Sequence, residues 1–118
     1  MTVVIPSSRS APWPRPPKAL QAARLGEPPA GARVTVAGLV LVRQRPGTAK
    51  GVIFVTLEDE TGTANVVVWA NVYERFRRAV IAGRLLRVTG KLQREAGVVH
   101  VVADLIEDLS PLLDRLLD

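Results

Sequence analysis

Cysteine is missing from all 118 residues, and histidine occurs once, at His100. Without thiols there is no disulfide framework and no thiolate metal site, and one imidazole does not make a zinc site by itself. Neither a metal nor a cofactor is expected. Long apolar runs are also missing. The longest, Val36–Val42 with Gly38 inside it, falls far short of the roughly 20 residues that span a bilayer. The first residues, Met-Thr-Val-Val-Ile-Pro, lack the basic region and apolar stretch of a secretion signal. These absences point to a cytoplasmic chain with no membrane partner. There is no P-loop, no dinucleotide fingerprint and no nucleophile–base pair. The acidic run Glu58-Asp59-Glu60 sits at a strand end, where consecutive side chains point different ways, and no further acid or histidine is spaced to complete a site. It reads as a solvated turn, and no enzyme is expected.

What the chain does have is charge, unevenly spread. The net charge is +5. Residues 33–94 carry eleven basic and four acidic residues, net +7, whereas residues 95–118 carry one basic and six acidic, net −5. An Arg-rich soluble domain would give a similar total, but a basic central region attracts polyanions by releasing their counterions.

The chain is organised around Gly51–Trp69. Two β-rich runs, Val52–Leu57 and Thr63–Trp69, flank the polar hinge Glu58–Gly62. This pattern predicts a β-hairpin with a loop of about four or five residues. Asp59 and Thr61 are expected to hydrogen-bond the turn backbone. Before the hairpin, Arg33–Arg45 is long for a strand, and Gly38 marks a bulge or bend. After it, Asn71–Ile81 predicts a helix capped by Asn71, with Glu74 at the capping-box position and Gly83 at its end. Leu85–Gln93 is a fourth strand with a second bend at Gly90. Arg94–Gly97 turns into the fifth, Val98–Ile106, and Ser110-Pro111 opens a short apolar helix over Leu112–Leu117. Residues 1–17 hold five of the nine prolines and predict an extended, disordered tail. Within it, Trp13 is either an exposed linker residue or docks on a neighbouring surface. Lys18–Leu25 is long enough for two helical turns. The division is therefore a proline-rich lead-in over residues 1–30 and a folded domain over 31–118.

Five strands with a helix between the third and fourth, and two glycine-bent long strands, fit an all-β oligonucleotide/oligosaccharide-binding (OB) barrel. An SH3-like barrel competes, but has no helix of this length there. In an OB barrel the ligand lies across strands 2 and 3, between the loops joining strands 1–2 and 4–5. Alternation assigns Ile53, Val55, Leu57, Ala64, Val66 and Val68 to the core, and Phe54, Thr56, Asn65 and Trp69 to the outer face. Phe54 and Trp69 then offer stacking platforms to unstacked bases, and Thr56 and Asn65 offer hydrogen bonds to base edges. Arg43, Arg45, Lys50, Lys91 and Arg94 are placed to pair with phosphates. Competing readings remain: Phe54 as a core aromatic under the first loop, Trp69 packed against the helix, and His100 as an ordinary strand residue.

The residues also carry a resemblance. Val36–Trp69, with its Arg-Gln-Arg-Pro-Gly loop joined to Phe-Val-Thr-Leu-Glu-Asp-Glu-Thr-Gly, resembles the C-terminal OB domain of bacterial error-prone DNA polymerases. The likeness runs on through Val72–Arg78 and Leu92–Glu95 to Leu109-Ser110. The second half of that motif is also similar to the anticodon-binding OB domains of class II aminoacyl-tRNA synthetases. The polymerase resemblance implies a domain that holds single-stranded template. The synthetase resemblance implies that residues matching Phe54 and Asn65 meet bases. Neither transfers catalysis, because the polymerase palm and its aspartates are not in this sequence. The expectation is a detached or truncated domain that binds single-stranded DNA. The alternatives are docking on a polymerase, clamp or translesion-cassette protein through the Leu112–Leu117 stripe, and RNA binding of the anticodon type.

Overall fold

One strand serves two partners. The computed structural model describes residues 19–45 and 51–117, so the expected tail, with Trp13, and Lys50 in the first loop lie outside the described residues. The N-terminal half of β1 (Arg33–Gln44) pairs antiparallel with β4 (Leu85–Glu95), and its C-terminal part pairs with β2 (Ile53–Asp59). Gly38 stands at the changeover. A Cβ there would lie 2.5 Å from the carbonyl oxygen of Glu58, closer than side chains approach backbone, so glycine lets the two strands cross. A bulge between Val40 and Val42 completes the bend. β3 (Gly62–Val68) pairs antiparallel with β2, and its parallel pairing with β5 (Val98–Asp108) closes the sheet. The order around the closed barrel is β1-β2-β3-β5-β4, the five-stranded OB arrangement expected. Gly90 makes the second bend, at a bulge in the β4–β5 ladder and against the backbone of Val102.

Alternation fills the interior as the sequence implies. Ile53, Val55, Leu57, Ala64, Val66 and Val68 are all buried, and Val36, Val88, Leu92 and Val101 meet them from the other strands. Burying each such valine, leucine or isoleucine contributes about 1.5–3 kcal/mol, so this shared core is the main stabilising term. On the outside, Arg87 and Glu107 stand opposite each other on β4 and β5 and bond through both guanidinium arms, at 2.8 and 2.6 Å. The Arg87 hydrogen bond holds the Glu107 carboxyl below its usual range. The pair's contribution is therefore present above the ordinary carboxylate pKa and is lost as pH falls through the lowered one.

The connections depart from the expected ones, each for a local reason. The β2–β3 loop is a two-residue turn, since Asp59 pairs with Gly62. The buried Asp59 carboxylate tightens it: Oδ1 accepts from the Thr61 N–H (2.7 Å), the Thr61 hydroxyl (2.6 Å) and the Gly62 N–H (3.1 Å). The β4–β5 turn is equally short. Glu95 pairs with Val98, and Ala96 and Gly97 take φ of 51° and 79°, the left-handed pair whose twist matches a hairpin. The single helix expected over Asn71–Ile81 is instead two: α1 (Ala70–Arg75) and α2 (Arg77–Ala82). They are broken at Phe76, whose φ and ψ of −123° and 31° leave the helical region. The break accommodates burial of both Val72 and Val80 on the barrel. Trp69, not Asn71, holds the N-cap position, and Glu74 binds Arg77 at 2.6 Å instead of a backbone amide.

The lead-in packs on the barrel. It forms one 3-10 turn, Ala22–Arg24, rather than two helical turns. Its amides at Ala22 and Ala23 donate to Asp59 Oδ2 (2.7 Å) and Thr61 Oγ1 (3.0 Å), and Leu25 is buried in the core. At the other terminus, α3 (Ser110–Leu117) inserts Leu113 between Leu39 and Leu85. Part of the apolar stripe offered as a partner-docking surface is therefore used within the molecule. Ser110 serves the barrel as well, its hydroxyl accepting from the Arg84 amide at 2.9 Å.

Because a methyl on Gly90 would run into the Val102 carbonyl, Gly90→Ala is expected to destabilise the domain by about 2–3 kcal/mol. The urea unfolding midpoint measures this, with an unchanged midpoint as the contrary result.

Candidate nucleic-acid interface

Closure of the barrel aligns outward side chains that are far apart in sequence. Gln44, Phe54, Val67, Val102 and Lys91 stand in register across β1, β2, β3, β5 and β4. Two positions along, Val42, Thr56, Asn65, His100 and Gln93 form a parallel row. The first row is largely apolar and the second largely polar, so the outer face carries an apolar stripe beside a polar one.

A groove of about 360 Å³ opens on this surface. Val52, Phe54, Val67 and Trp69 line it from β2 and β3, and Gln93, Glu95, His100 and Val102 from β4 and β5. Phe54 is half-buried on the outer face rather than in the core, and Trp69 is 50% exposed rather than covered by the helix. The two aromatics chosen from alternation thus share one concavity. Thr56 and Asn65 face each other across β2 and β3 in the adjoining row. Sequence reasoning missed His100 and Gln93. His100 is placed beside Asn65 by the parallel β3–β5 contact, which no local pattern announces, and Gln93 joins the row as the β4 partner of His100.

The cations are not gathered there. Among the described residues none lines the groove, whose one carboxylate is Glu95. Arg43 turns to the C-terminal end of α2, donating to the carbonyls of Val80 (2.6 Å) and Gly83. Arg94 donates to the carbonyls of Gly26 (2.5 Å) and Pro28 (2.9 Å), tying the β4–β5 turn to the lead-in. Arg45 lies over the Tyr73 ring, 5.0 Å from its centre. Lys91 is exposed, beside Val102 at the end of the first row. Arginines near the ends of strands find backbone carbonyls as readily as phosphates, and sequence alone does not separate the two. No group of three His, Asp or Glu residues among the described residues is placed to hold a metal ion.

The closed five-stranded barrel and its outward face define an oligonucleotide-binding type of domain, and comparison with known proteins agrees. A family model described as an OB-fold nucleic acid binding domain matches residues 34–109, and the chain belongs to that family. More narrowly, it is similar to error-prone DNA polymerases. It is 72% identical over 81 residues to that of Ruegeria pomeroyi, covering 69% of this chain and 7% of the relative. With the enzyme of Azoarcus sp. the figures are 63% over 92 residues, 78% and 9%. The chain therefore spans less than a tenth of the length of these curated relatives. Among solved structures, asparaginyl-tRNA synthetase from Pyrococcus horikoshii superposes with a TM-score of 0.58 at 30% identity, over 68% of this chain and 19% of that one. An OBody bound to hen egg-white lysozyme shares the fold alone, with a TM-score of 0.64 at 20% identity over 80% and 91% of the two chains.

Arg43, near the end of β1, and Arg45, just beyond it, are expected to behave differently on truncation. Arg43→Ala removes charge-assisted bonds to two carbonyls and is expected to cost about 1.5–3 kcal/mol. Arg45→Ala, at an exposed ring contact, is expected to stay within about 0.5–1 kcal/mol of the parent. Denaturant titration of both variants distinguishes them, and equal losses would contradict the structural role given to Arg43.

Proposed function

We propose that this chain is a non-catalytic single-stranded DNA-binding module of the error-prone polymerase type, acting in the cytoplasm where a damaged template is copied. One observation carries the reading: Phe54 and Trp69 converge on one groove flanked by the polar row of Thr56, Asn65, His100 and Gln93. An unpaired base has two π-faces and a free hydrogen-bonding edge, and this surface offers partners for both. A duplex exposes neither its base faces nor its Watson–Crick edges. Single strands are therefore the better fit. The strand lies across β2 and β3, with bases against the two aromatics and edges toward Asn65 and His100. Similarity to the polymerases supports DNA as the strand in question.

RNA is a second reading, favoured by the likeness to asparaginyl-tRNA synthetase. A 2′-hydroxyl offers an extra donor and acceptor, so DNA and RNA of one sequence compared side by side separate the two readings.

Phe54→Ala and Trp69→Ala are each expected to weaken binding of a fluorescein-labelled oligo-dT by about 1–3 kcal/mol, roughly 5- to 150-fold, with folding intact. Fluorescence anisotropy at fixed salt measures the loss. Unchanged affinity in both variants would remove the base-stacking groove from the mechanism.

A further inference from the structure

A second concavity, of about 280 Å³, lies where the end of β1 meets the α1–α2 pair. Arg43, Arg45, Tyr73, Val80 and Ile81 line it. Two guanidiniums share the Tyr73 ring, Arg45 at 5.0 Å and Arg77 at 5.4 Å from its centre. Cations brought to one ring repel each other unless an anion lies nearby. Glu74 answers Arg77, in an exposed pair at 2.6 Å. No carboxylate among the described residues pairs with Arg45, nor with the exposed Arg75 and Arg78 on the same helical pair. Arg43 has already satisfied the α2 carbonyls, so the negative end of that helix offers the cluster little compensation. The uncompensated charge beside this depression is therefore that of Arg45, with Arg75 and Arg78 on the helical pair next to it, while Arg77 shares its charge with Glu74.

Its position gives that charge a use. Gln44, which lines this second concavity, stands in register with Phe54, which lines the groove. Trp69 lines the groove and immediately precedes α1. The two concavities are therefore neighbours, linked through the Gln44–Phe54 register pair. The groove itself holds no described cation, so a polynucleotide seated there gains stacking but little neutralisation of its backbone.

We propose that the Arg45–Tyr73–Arg77 cluster is a phosphodiester-binding site that takes the backbone of a strand leaving the base-stacking groove past Phe54 and Trp69. One phosphate lies between the two guanidiniums, above the tyrosine edge. Planar guanidinium forks suit the phosphate oxygens, and stacking on a ring fixes their orientation before the ligand arrives. The site deepens the function proposed above and rests on it, since the strand is the one held in the groove.

The test compares oligo-dT of about 4 nucleotides with oligo-dT of about 16, the range of site sizes for one OB fold. Each is titrated against the parent chain, Arg45→Gln/Arg77→Gln and Phe54→Ala across a series of salt concentrations. The double variant is expected to bind the long oligonucleotide at least several-fold more weakly. Its slope of log affinity against log salt is expected to fall by about 0.7 per lost phosphate contact. Binding of the short oligonucleotide, which fills only the groove, is expected to be unaffected. Arg45→Lys, which keeps the charge and loses the fork, is expected to retain the salt slope while giving up part of the affinity. Thermal unfolding of each variant checks that the exposed substitutions leave the barrel folded. If Phe54→Ala weakens both oligonucleotides while the double variant leaves slope and long-strand affinity unchanged, the second site is refuted and the groove stands. If the parent binds neither oligonucleotide, the function proposed above fails and the second site fails with it.

Discussion

The barrel depends on backbone meeting backbone at two places where no side chain fits. At Gly38 the chain of β1 crosses that of β2 close to the Glu58 carbonyl, and at Gly90 the chain of β4 presses on Val102. Five strands are few for a closed sheet, and closure requires β1 to bend sharply enough to pair with β2 through one half and β4 through the other. Hydrophobic burial supplies the energy, but the strands close around that core only where backbone can approach backbone. The glycines convert a sheet with two edges into one with none.

Closure creates the outer face to which binding is assigned in the proposed function. Asn65 and His100 are 35 positions apart, on strands separated by two helices and a hairpin partner, yet they become neighbours because β3 and β5 run parallel. The aromatics are local to the central hairpin, whereas their polar companions arrive from the far side of the barrel. Short turns keep this face open. The Asp59 carboxylate folds the β2–β3 hairpin within two residues and holds the lead-in at the same end. The extra chain thereby covers the core around Leu25 and leaves the groove clear.

Much of this was legible in the residues, because alternation is a strong signal in half-buried strands. Ile53, Val55 and Leu57 against Phe54, Thr56 and Glu58 assign the two faces of β2, and Gly38 and Gly90 interrupt runs that would otherwise be uniform. Motif resemblance covered the same ground by another route, and the family match agrees with it. What resisted reading depended on tertiary partners. The break at Phe76 answers the barrel surface beneath it, in a segment whose helical periodicity looks continuous. Arg43 and Arg94 are spent on carbonyls that only the folded chain brings within reach. His100 looks ordinary until a parallel neighbour is supplied.

The parallel β3–β5 seam has a consequence for how the molecule is made. Synthesis runs from the N-terminus, and β3 is complete some thirty residues before its last partner, starting at Val98, leaves the ribosome. Until then a nascent half-barrel of β1, β2 and β3 presents the valines of Val66–Val68 along an unpaired margin. Such margins recruit other chains. The arginine-rich helical pair is translated during that interval, and mutual repulsion between crowded nascent copies would help keep the open seam solitary until its own strand arrives.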